Sequence, residues 1–126
     1  MLTPQLPDPE LVKAFHRTVR RHFAEQIARE REAAELRRVT VVPLVRQAVA
    51  RARQEGRCKR AWLFGSYAWG EPGERSDVDI LVEGCADPIA IASLVGRAYG
   101  RDVHVIDWAD APDSLRRRVS DEGLPL

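Results

Sequence analysis

The sequence of 126 residues is long enough for one domain with its own core, and its 44% hydrophobic and 31% charged residues are ordinary for a globular protein. The formal net charge is +1, which excludes polyanion binding through the overall charge of the molecule, so affinity for a nucleotide requires a local site. Cys58 and Cys85 lack the CxxC spacing and are interpreted as free thiols in a reducing cytosol. The N-terminus lacks a signal-peptide pattern, and no stretch approaches the roughly 18 apolar residues of a membrane span. We therefore expect a cytoplasmic protein without membrane contact.

The first predicted element is a long helix that begins at Asp8 and Pro9 and runs to about Arg38. Asp accepts hydrogen bonds from the free N–H groups of a helix start, and Pro is tolerated in the first turn. Large apolar side chains recur every four residues and predict a stripe along one side. The stripe consists of Leu11, Phe15, Val19, Phe23 and Ile27. Such a stripe more often packs within its own chain. Because about 30 helical residues extend roughly 45 Å, however, we expect part of this helix to contact another chain, either a partner or a second copy in a homo-oligomer.

The remaining chain predicts a small α/β layer, and hence an α+β fold with few strands. A second helix is expected at residues 42–55, since Thr40 and Pro43 suit a helix start and Gly56 suits its end. Its expected inward positions are Leu44, Val45, Ala48, Val49 and Ala52. Apolar runs and alternation predict strands at residues 61–64, 76–83 and 102–107. Further helices are expected at residues 66–70 (a short one), from the Asp87–Pro88 pair to Gly100, and at residues 112–121.

Two aspartates separated by one residue suggest the chemistry. Val78, Ile80 and Val82 share one face of their strand, so Asp77 and Asp79 project together from the other face, with Cα atoms about 7 Å apart. Carboxylates about 5 Å apart repel by roughly 3 kcal/mol at an effective dielectric near 20, and a bound cation or a raised pKa relieves this. Oxygen ligands favour Mg²⁺ or Mn²⁺, and Mg²⁺ shares carboxylates with substrate phosphates. Taken alone, the pair is weak evidence for a metal site, because solvated aspartates at a strand edge are the more common explanation of such a pair.

A glycine and a serine upstream favour the metal interpretation. Gly65 follows a predicted buried strand, where the absence of a side chain lets backbone N–H groups approach a phosphate closely. Ser66 adds a hydroxyl and can open a short helix, whose N-terminus favours an anion. We call these two residues the GS turn. The order of the strands predicts that the GS turn lies beside Asp77 and Asp79.

These motifs resemble those of a known family. The segment GSYAWG at residues 65–70, with ten residues between Ser66 and Asp77, and then Asp77-Val78-Asp79, resembles the GSx10DxD signature of the DNA polymerase β-like nucleotidyltransferases. The sequence pattern GSYAWGE…SDVDILV is most similar to the patterns of the minimal nucleotidyltransferase (MNT) subfamily. The match covers residues of about 60 to 107, and the segment ADAPDSLRRRVSDEG resembles the usual MNT tail. The long N-terminal helix lies outside the family core, so we expect a helical extension at residues 1–39 and a nucleotidyltransferase domain at residues 40–126.

The resemblance implies a small mixed sheet flanked by helices and a catalytic role for Asp77 and Asp79. It implies that Gly65 and Ser66 hold the triphosphate of ATP or another nucleoside triphosphate, and that the two aspartates bind two divalent ions, Mg²⁺ or Mn²⁺. One ion would activate the attacking hydroxyl and the other would neutralise the β- and γ-phosphates. A nucleoside monophosphate is then transferred and pyrophosphate leaves. MNT proteins commonly act as antitoxins of helical HEPN-family RNases by modifying a tyrosine, which implies AMP transfer to such a protein partner.

The sequence departs from the family at one position. A third carboxylate is expected on the later strand, but residues 102–107 read DVHVID and place His104 there. A neutral imidazole is a general base or a metal ligand, although a poor one for Mg²⁺, so His104 is retained as a catalytic candidate. Asp102 shares its face, whereas Asp107 has the opposite parity. Two alternatives to protein adenylylation stay open: a module that neutralises its partner by contact alone, and a nucleotidyltransferase acting on a small molecule.

Aromatic and basic residues give weaker signals. Trp69, within the turn, is favoured over Trp62 as a residue that stacks on a base. The run Arg116-Arg117-Arg118 lies near a helix end where cations suit the helix dipole, so nucleic acid is not the expected partner.

Overall fold

The computed structural model describes residues 8–100 and 102–126. The expectation that the N-terminus is not a signal peptide concerns a segment that lies mostly outside these residues. The chain divides into two compact units, the first ending at Ala33 and the second spanning Ala34–Leu126. No helix in the described ranges combines the length and the apolar character that crossing a membrane requires. The predicted division at residues 39 and 40 stays a prediction.

One helix, α1 (Pro9–Gln54), replaces the two that the sequence predicted. Its predicted start is confirmed, since the backbone N–H of Glu10 donates to Asp8 Oδ1 at 2.9 Å. The prediction of a separate helix at residues 42–55 is wrong, because the helix continues through Pro43. Thr40 does not cap a new helix, since its hydroxyl donates to the carbonyl of Leu36 at 2.7 Å within the same one.

Burial explains why α1 continues past its proline. A proline inside a helix removes one main-chain hydrogen bond and crowds the preceding turn. Here Val41, Val42 and Val45 are buried on either side of Pro43, and the hydrophobic stabilisation of that packing offsets the loss. Leu44, which was expected to face inward, is 40% exposed, so that assignment is wrong.

Within the first unit, α1 exposes most of the predicted stripe. Leu11 and Phe15 are each 66% exposed, Phe23 is 57% exposed and Ile27 is 48% exposed, whereas Val19 is half-buried. What contacts this stripe in a complex stays a prediction.

The second unit contains a four-stranded mixed sheet, as the predicted fold class required. The strands are β1 (Arg60–Phe64), β2 (Val78–Glu83), β3 (Val103–Asp107) and β4 (Leu124–Pro125). Their order is β3-β2-β1-β4, with β2 and β3 parallel and the other neighbours antiparallel. The connecting helices are α2 (Ser66–Trp69), α3 (Pro88–Tyr99) and α4 (Asp113–Glu122), with a 3₁₀ turn at Trp108–Asp110.

Two differences at strand ends have simple causes. Strand β2 begins at Val78 instead of residue 76, so Asp77 lies just before the strand. Strand β4 was not predicted, because Gly123 and Pro125 indicate the end of the chain's regular structure and two residues are too few for an alternating pattern. Strand β4 is held by its pairing with β1, where the N–H of Leu126 donates to the carbonyl of Ala61 at 2.9 Å.

Both faces of the sheet are buried, and the main core and Asp79 lie on opposite faces. Val78, Ile80 and Val82 pack in the larger core with α1 and α3, whereas Leu81 packs in a second cluster with Val119 of α4. Because side chains alternate along a strand, Asp79 lies on the Leu81 face. The predicted alternation of β2 is therefore confirmed, and the carboxylate lies on the face that α4 partly covers.

Helix α3 places β3 beside β2. Asp87 caps its start by accepting from the N–H of Ala90 at 3.1 Å, and Gly100 ends it with a φ of 80°, as the sequence predicted. A strand, a crossover helix and a parallel strand are the usual way to pair two parallel neighbours.

Candidate active site

Strand register brings the predicted residues together around Asp79. In the antiparallel pair β1–β2, Phe64 is the partner of Asp79, so Gly65 follows at the same end of the sheet. In the parallel pair β2–β3, His104 is the partner of Asp79 on the other side. Asp77 lies two residues earlier and faces the same way. Four separately predicted positions thus lie close together at one end of the sheet.

Gly65 and Asp79 are in direct contact. A Cβ at Gly65 would overlap Asp79 Oδ2 and would lie 3.3 Å from Asp79 Cγ. Gly65 also has φ 72° and ψ −150°, a backbone conformation that is essentially restricted to glycine. Its carbonyl accepts from the N–H groups of Ala68 and Trp69, each at 3.0 Å, and so begins α2. The GS turn therefore lies directly against a carboxylate, and only glycine allows that approach.

His104 lies between the two carboxylates. Its Nδ1 is 3.3 Å from Asp79 Oδ1, and its Nε2 is 3.6 Å from Asp77 Oδ2. The side chains of His104, Asp77 and Asp79 are 62%, 40% and 23% exposed, respectively. The imidazole is therefore accessible from solvent, whereas Asp79 is the most enclosed of the three.

The enclosure of Asp79 changes its charge balance. Burial raises the pKa of the Asp79 carboxyl above its ordinary value, the neighbouring Asp77 charge raises it further, and His104 partly lowers it. A carboxylate with a raised pKa, beside a second carboxylate, is stabilised in its ionised form by a cation.

The donor set fits a divalent ion that is shared with a substrate. Across residues 8–100 and 102–126, no group of three or more His, Cys, Asp or Glu side chains forms a metal-binding cluster by itself. Mg²⁺, however, typically binds through one or two carboxylates and completes its coordination with water and substrate phosphates. Asp77 and Asp79 would supply the carboxylates of such a site, and Gly65 lies directly against Asp79.

Two arginines near the site escaped the sequence analysis. Arg38 donates from its guanidinium to the carbonyls of Tyr67 and Gly70 in and after α2, and Arg37 donates to the carbonyl of Pro72 at 3.2 Å. Both arginines lie within residues 1–39, the predicted helical extension. Nothing in the local pattern distinguishes them from the many exposed arginines of α1, because their partners lie about thirty residues away along the chain.

The structure gives the predicted stacking residues packing partners instead. The Arg118 guanidinium lies over the Trp69 ring, 4.3 Å from its centre, and Phe64 lies beside the same ring. Trp62 packs against Trp108, with ring centres 5.1 Å apart. One face of Trp69 is therefore already covered, which argues against its stacking on a base.

The two further aspartates of the DVHVID segment differ in their surroundings. Asp107 Oδ1 accepts from the N–H of Ala109 at 3.0 Å and caps the 3₁₀ turn, in agreement with its expected opposite parity. Asp102 is exposed and precedes β3, where its carbonyl accepts from the N–H of Val78 at 3.4 Å.

Comparison with known proteins identifies the family. The sequence pattern of the family described as "Polymerase beta, Nucleotidyltransferase" matches residues 47–126. A protein of Methanocaldococcus jannaschii, whose name proposes a protein adenylyltransferase, is 33% identical over 73 residues, which cover 54% of this chain and 78% of that protein. A second protein of the same organism and the same proposed activity is 49% identical over 37 residues, or 29% of this chain and 37% of that one.

A solved structure agrees with this assignment. A chain in a crystal structure of a toxin–antitoxin with AMP-PNP superposes with a TM-score of 0.52 at 25% identity, over 63% of this chain and 69% of that chain. The sequence match, the GS turn and the paired aspartates all lie within residues 47–126. Because the family pattern covers more than half of the sequence, the chain belongs to the polymerase β nucleotidyltransferase family and is a nucleotidyltransferase, as the GSx10DxD resemblance predicted.

Proposed function

We propose that this nucleotidyltransferase transfers AMP from ATP to a hydroxyl of a partner protein, a HEPN-type toxin, and thereby acts as its antitoxin. The main support is the close approach of Gly65 to Asp79, which places the GS turn directly against the carboxylate pair. The name of the M. jannaschii relative, a protein adenylyltransferase, supports transfer of AMP to a protein. The toxin–antitoxin structure with AMP-PNP supports both the adenine nucleotide and the antitoxin role.

The GS turn binds the triphosphate. Helix α2 begins at Ser66, and the positive end of the helix dipole favours an anion there. The N–H and the hydroxyl of Ser66 donate to phosphate oxygens. The glycine-only conformation of Gly65 lets the phosphate approach until it reaches the Asp79 carboxylate.

Asp77 and Asp79 hold Mg²⁺, or Mn²⁺, together with the phosphates. When bound, the divalent ions activate the attacking hydroxyl and offset the charge of the phosphates. The chain contributes two carboxylates whose mutual repulsion a bound cation relieves. The raised pKa of the Asp79 carboxyl reflects mainly its burial, with a smaller contribution from the charge of Asp77.

His104 accepts the proton of the acceptor hydroxyl. The 3.3 Å contact between Nδ1 and Asp79 Oδ1 favours the tautomer with the hydrogen on Nδ1, which leaves a lone pair on Nε2. The hydroxyl oxygen forms a bond to the α-phosphorus, the bond from that phosphorus to the bridging oxygen of the β-phosphate breaks, and pyrophosphate leaves. The proton moves from the hydroxyl to Nε2 of His104.

One observation favours a second function, which is neutralisation of the toxin by contact alone. His104 occupies the position where family members are expected to have a third carboxylate, and an imidazole is a weak ligand for Mg²⁺. In that case nucleotide binding persists and transfer is lost.

The experiment combines the chain with α-labelled ATP, Mg²⁺ and a HEPN-family protein from the same genome. We expect label on the HEPN-family protein, and none with the Asp77→Asn, Asp79→Asn double variant. Label no higher than with the double variant, in a complex that still co-elutes, replaces the enzyme with the contact-only antitoxin. Label that instead appears on a free small molecule, such as an added aminoglycoside, without any protein partner contradicts the protein acceptor.

A further inference from the structure

We propose that Arg38 is a positioning residue for nucleotide binding, because it holds from α1 the short helix whose first residue is Ser66. The inference rests on the proposed function, since it takes the GS turn as the triphosphate site. It adds a residue outside the segment that the family pattern matches, which begins at residue 47.

The Arg38 guanidinium is fixed on several sides. Nη2 donates to the carbonyl of Gly70, Nε donates to the carbonyl of Tyr67 at 3.4 Å, and Nη1 donates to Glu35 Oε2 at 2.6 Å. The side chain is only 28% exposed. An arginine is suited to this role because its planar fork directs several N–H groups at once. All four residues lie within the second compact unit.

These contacts matter because α2 is only four residues long. So short a helix does not persist without tertiary support. Its last carbonyls also lack hydrogen-bond donors within the helix. Arg38 supplies both a tertiary contact and a positive charge at the C-terminal end, where the helix dipole favours a cation. The start of α2, with Ser66, is about 6 Å away at 1.5 Å per residue.

The GS turn has little freedom to shift. The N–H of Gly70 donates to the carbonyl of Ser66 at 3.2 Å, so the carbonyl held by Arg38 and the phosphate-facing residue belong to the same turn of chain. At the other end, Gly65 lies so close to Asp79 that no side chain fits between them. A tilt of α2 therefore changes the distance between Ser66 and the Asp79 carboxylate.

A second anchor keeps α2 folded when Arg38 is removed. Tyr67 is 2% exposed, its hydroxyl lies 2.8 Å from that of Tyr99, and the Tyr99 hydroxyl donates to the carbonyl of Ser76 at 3.1 Å. We therefore expect Arg38 to set the orientation of α2, whereas Tyr67 maintains its presence. Loss of Arg38 should weaken nucleotide binding more than it weakens the fold.

Arg53 provides a matched control on the same helix. Its Nη1 donates to the carbonyl of Leu126 at 3.0 Å, which, like the contacts of Arg38, is a long-range contact to a main-chain oxygen. Leu126 lies beside Ala61, near the end of β1 opposite to the GS turn. A general loss of helix packing affects Arg38→Ala and Arg53→Ala alike. A positioning role affects only the first.

The experiment measures binding of Mg²⁺ and ATP by calorimetry in the whole chain, for the wild type, Arg38→Ala, Arg38→Lys and Arg53→Ala. We expect Arg38→Ala to raise the dissociation constant about tenfold, Arg38→Lys to raise it by a smaller factor because an ammonium lacks the fork, and Arg53→Ala to leave it unchanged. Hydrogen exchange should show faster exchange of the Ala68 and Trp69 amides in Arg38→Ala alone.

Two results overturn the inference while leaving the proposed function intact. One is wild-type affinity in Arg38→Ala, and the other is an equal loss in Arg38→Ala and Arg53→Ala. If Arg38→Ala does not fold, Arg38→Lys decides: unchanged affinity together with unchanged exchange in α2 contradicts the positioning role. If the wild type itself binds no ATP in the presence of Mg²⁺, the proposed function fails, and this inference fails with it.

Discussion

The carboxylate of Asp79 occupies the space that a Cβ at Gly65 would require. Strand β1 ends at Phe64, the register partner of Asp79, so the chain must turn immediately beside that carboxylate. The glycine-only values of φ and ψ at Gly65 make the turn possible. One contact thus explains why this position requires glycine.

Gly65→Ala should abolish nucleotide binding. The added methyl group overlaps Asp79 Oδ2, and the backbone must leave a conformation that alanine does not adopt. Gly56→Ala is the matched control, because Gly56 also has a positive φ, of 74°, but nothing within 4 Å of an added Cβ. We expect the control to lose about 1–2 kcal/mol of stability and to keep its affinity for ATP. Equal ATP affinity in the two variants would show that the overlap with Asp79 is irrelevant to the site.

Asp79→Asn should stabilise the metal-free protein and abolish transfer. Burial raises the pKa of the Asp79 carboxyl in the folded state, so the folded state retains this proton at pH values where the unfolded state has lost it. Stability conferred by the protonated form is therefore lost as the pH rises through the folded pKa, and an uncharged Asn avoids this loss. Thermal unfolding at neutral pH without metal should occur at a higher temperature in Asp79→Asn.

Transfer in the same variant should fall by about a thousandfold, since a metal carboxylate is removed. Asp121→Asn, on the exposed side of α4, is the control that should change neither quantity. A lower unfolding temperature in Asp79→Asn than in Asp121→Asn would contradict the account of the Asp79 environment.

His104 variants distinguish a proton acceptor from a bystander. His104→Ala removes Nε2, and we expect the transfer rate to fall about a hundredfold with little change in ATP affinity. His104→Asp restores the carboxylate that the family resemblance implies, and we expect it to reach its full rate at a lower Mg²⁺ concentration than the wild type. Initial rates measured against Mg²⁺ and ATP concentration separate the two effects. An unchanged rate in His104→Ala would remove His104 from the chemistry.

The two cysteines should react in a defined order. Burial, followed by the charge and hydrogen bond of the nearby Cys85, raises the pKa of the Cys58 thiol from 9.0 to about 11. Cys58 is 5% exposed, whereas Cys85 is partly exposed. Iodoacetamide at pH 8 should therefore alkylate Cys85 first, because it reacts with an accessible thiolate. Peptide mapping by mass spectrometry checks the order, and earlier labelling of Cys58 would contradict it.

The same raised pKa of Cys58 has a consequence for stability at alkaline pH. Between pH 9 and pH 11 the unfolded thiol loses its proton while the folded thiol retains it, so stability should fall across this window. A Cys58→Ala variant should show a weaker fall in chemical denaturation over the same pH range. An identical fall in both proteins would assign the effect to other groups.

Much of the site could be predicted because its signals are local. The alternation of Val78, Ile80 and Val82 fixed the face of Asp79 without any knowledge of neighbouring strands. Gly65 and Ser66 were recognisable from their spacing to Asp77. The register that sets His104 opposite Asp79 could not be predicted in this way. The two parallel strands are connected through a helix, and the sequence of neither strand indicates how they pair. The position of His104 came from the family resemblance instead.

The errors concern effects that act over long distances in the sequence. A proline in the interior of a helix usually ends or kinks it. At Pro43 the burial of Val41, Val42 and Val45 lets α1 continue. Arg38 resembles the exposed arginines of α1 until the carbonyls of α2 are placed beside it. Both depend on tertiary contacts that no short window of sequence contains.

The most direct test of AMP transfer is the intact mass of the HEPN-family acceptor after incubation with this chain, ATP and Mg²⁺. We expect the acceptor to gain the mass of one or more AMP groups with the wild type, and to keep its mass with Gly65→Ala or Asp79→Asn. An acceptor that keeps its original mass with the wild type, at saturating ATP and in a complex with the chain, would contradict transfer and leave only contact between the two proteins.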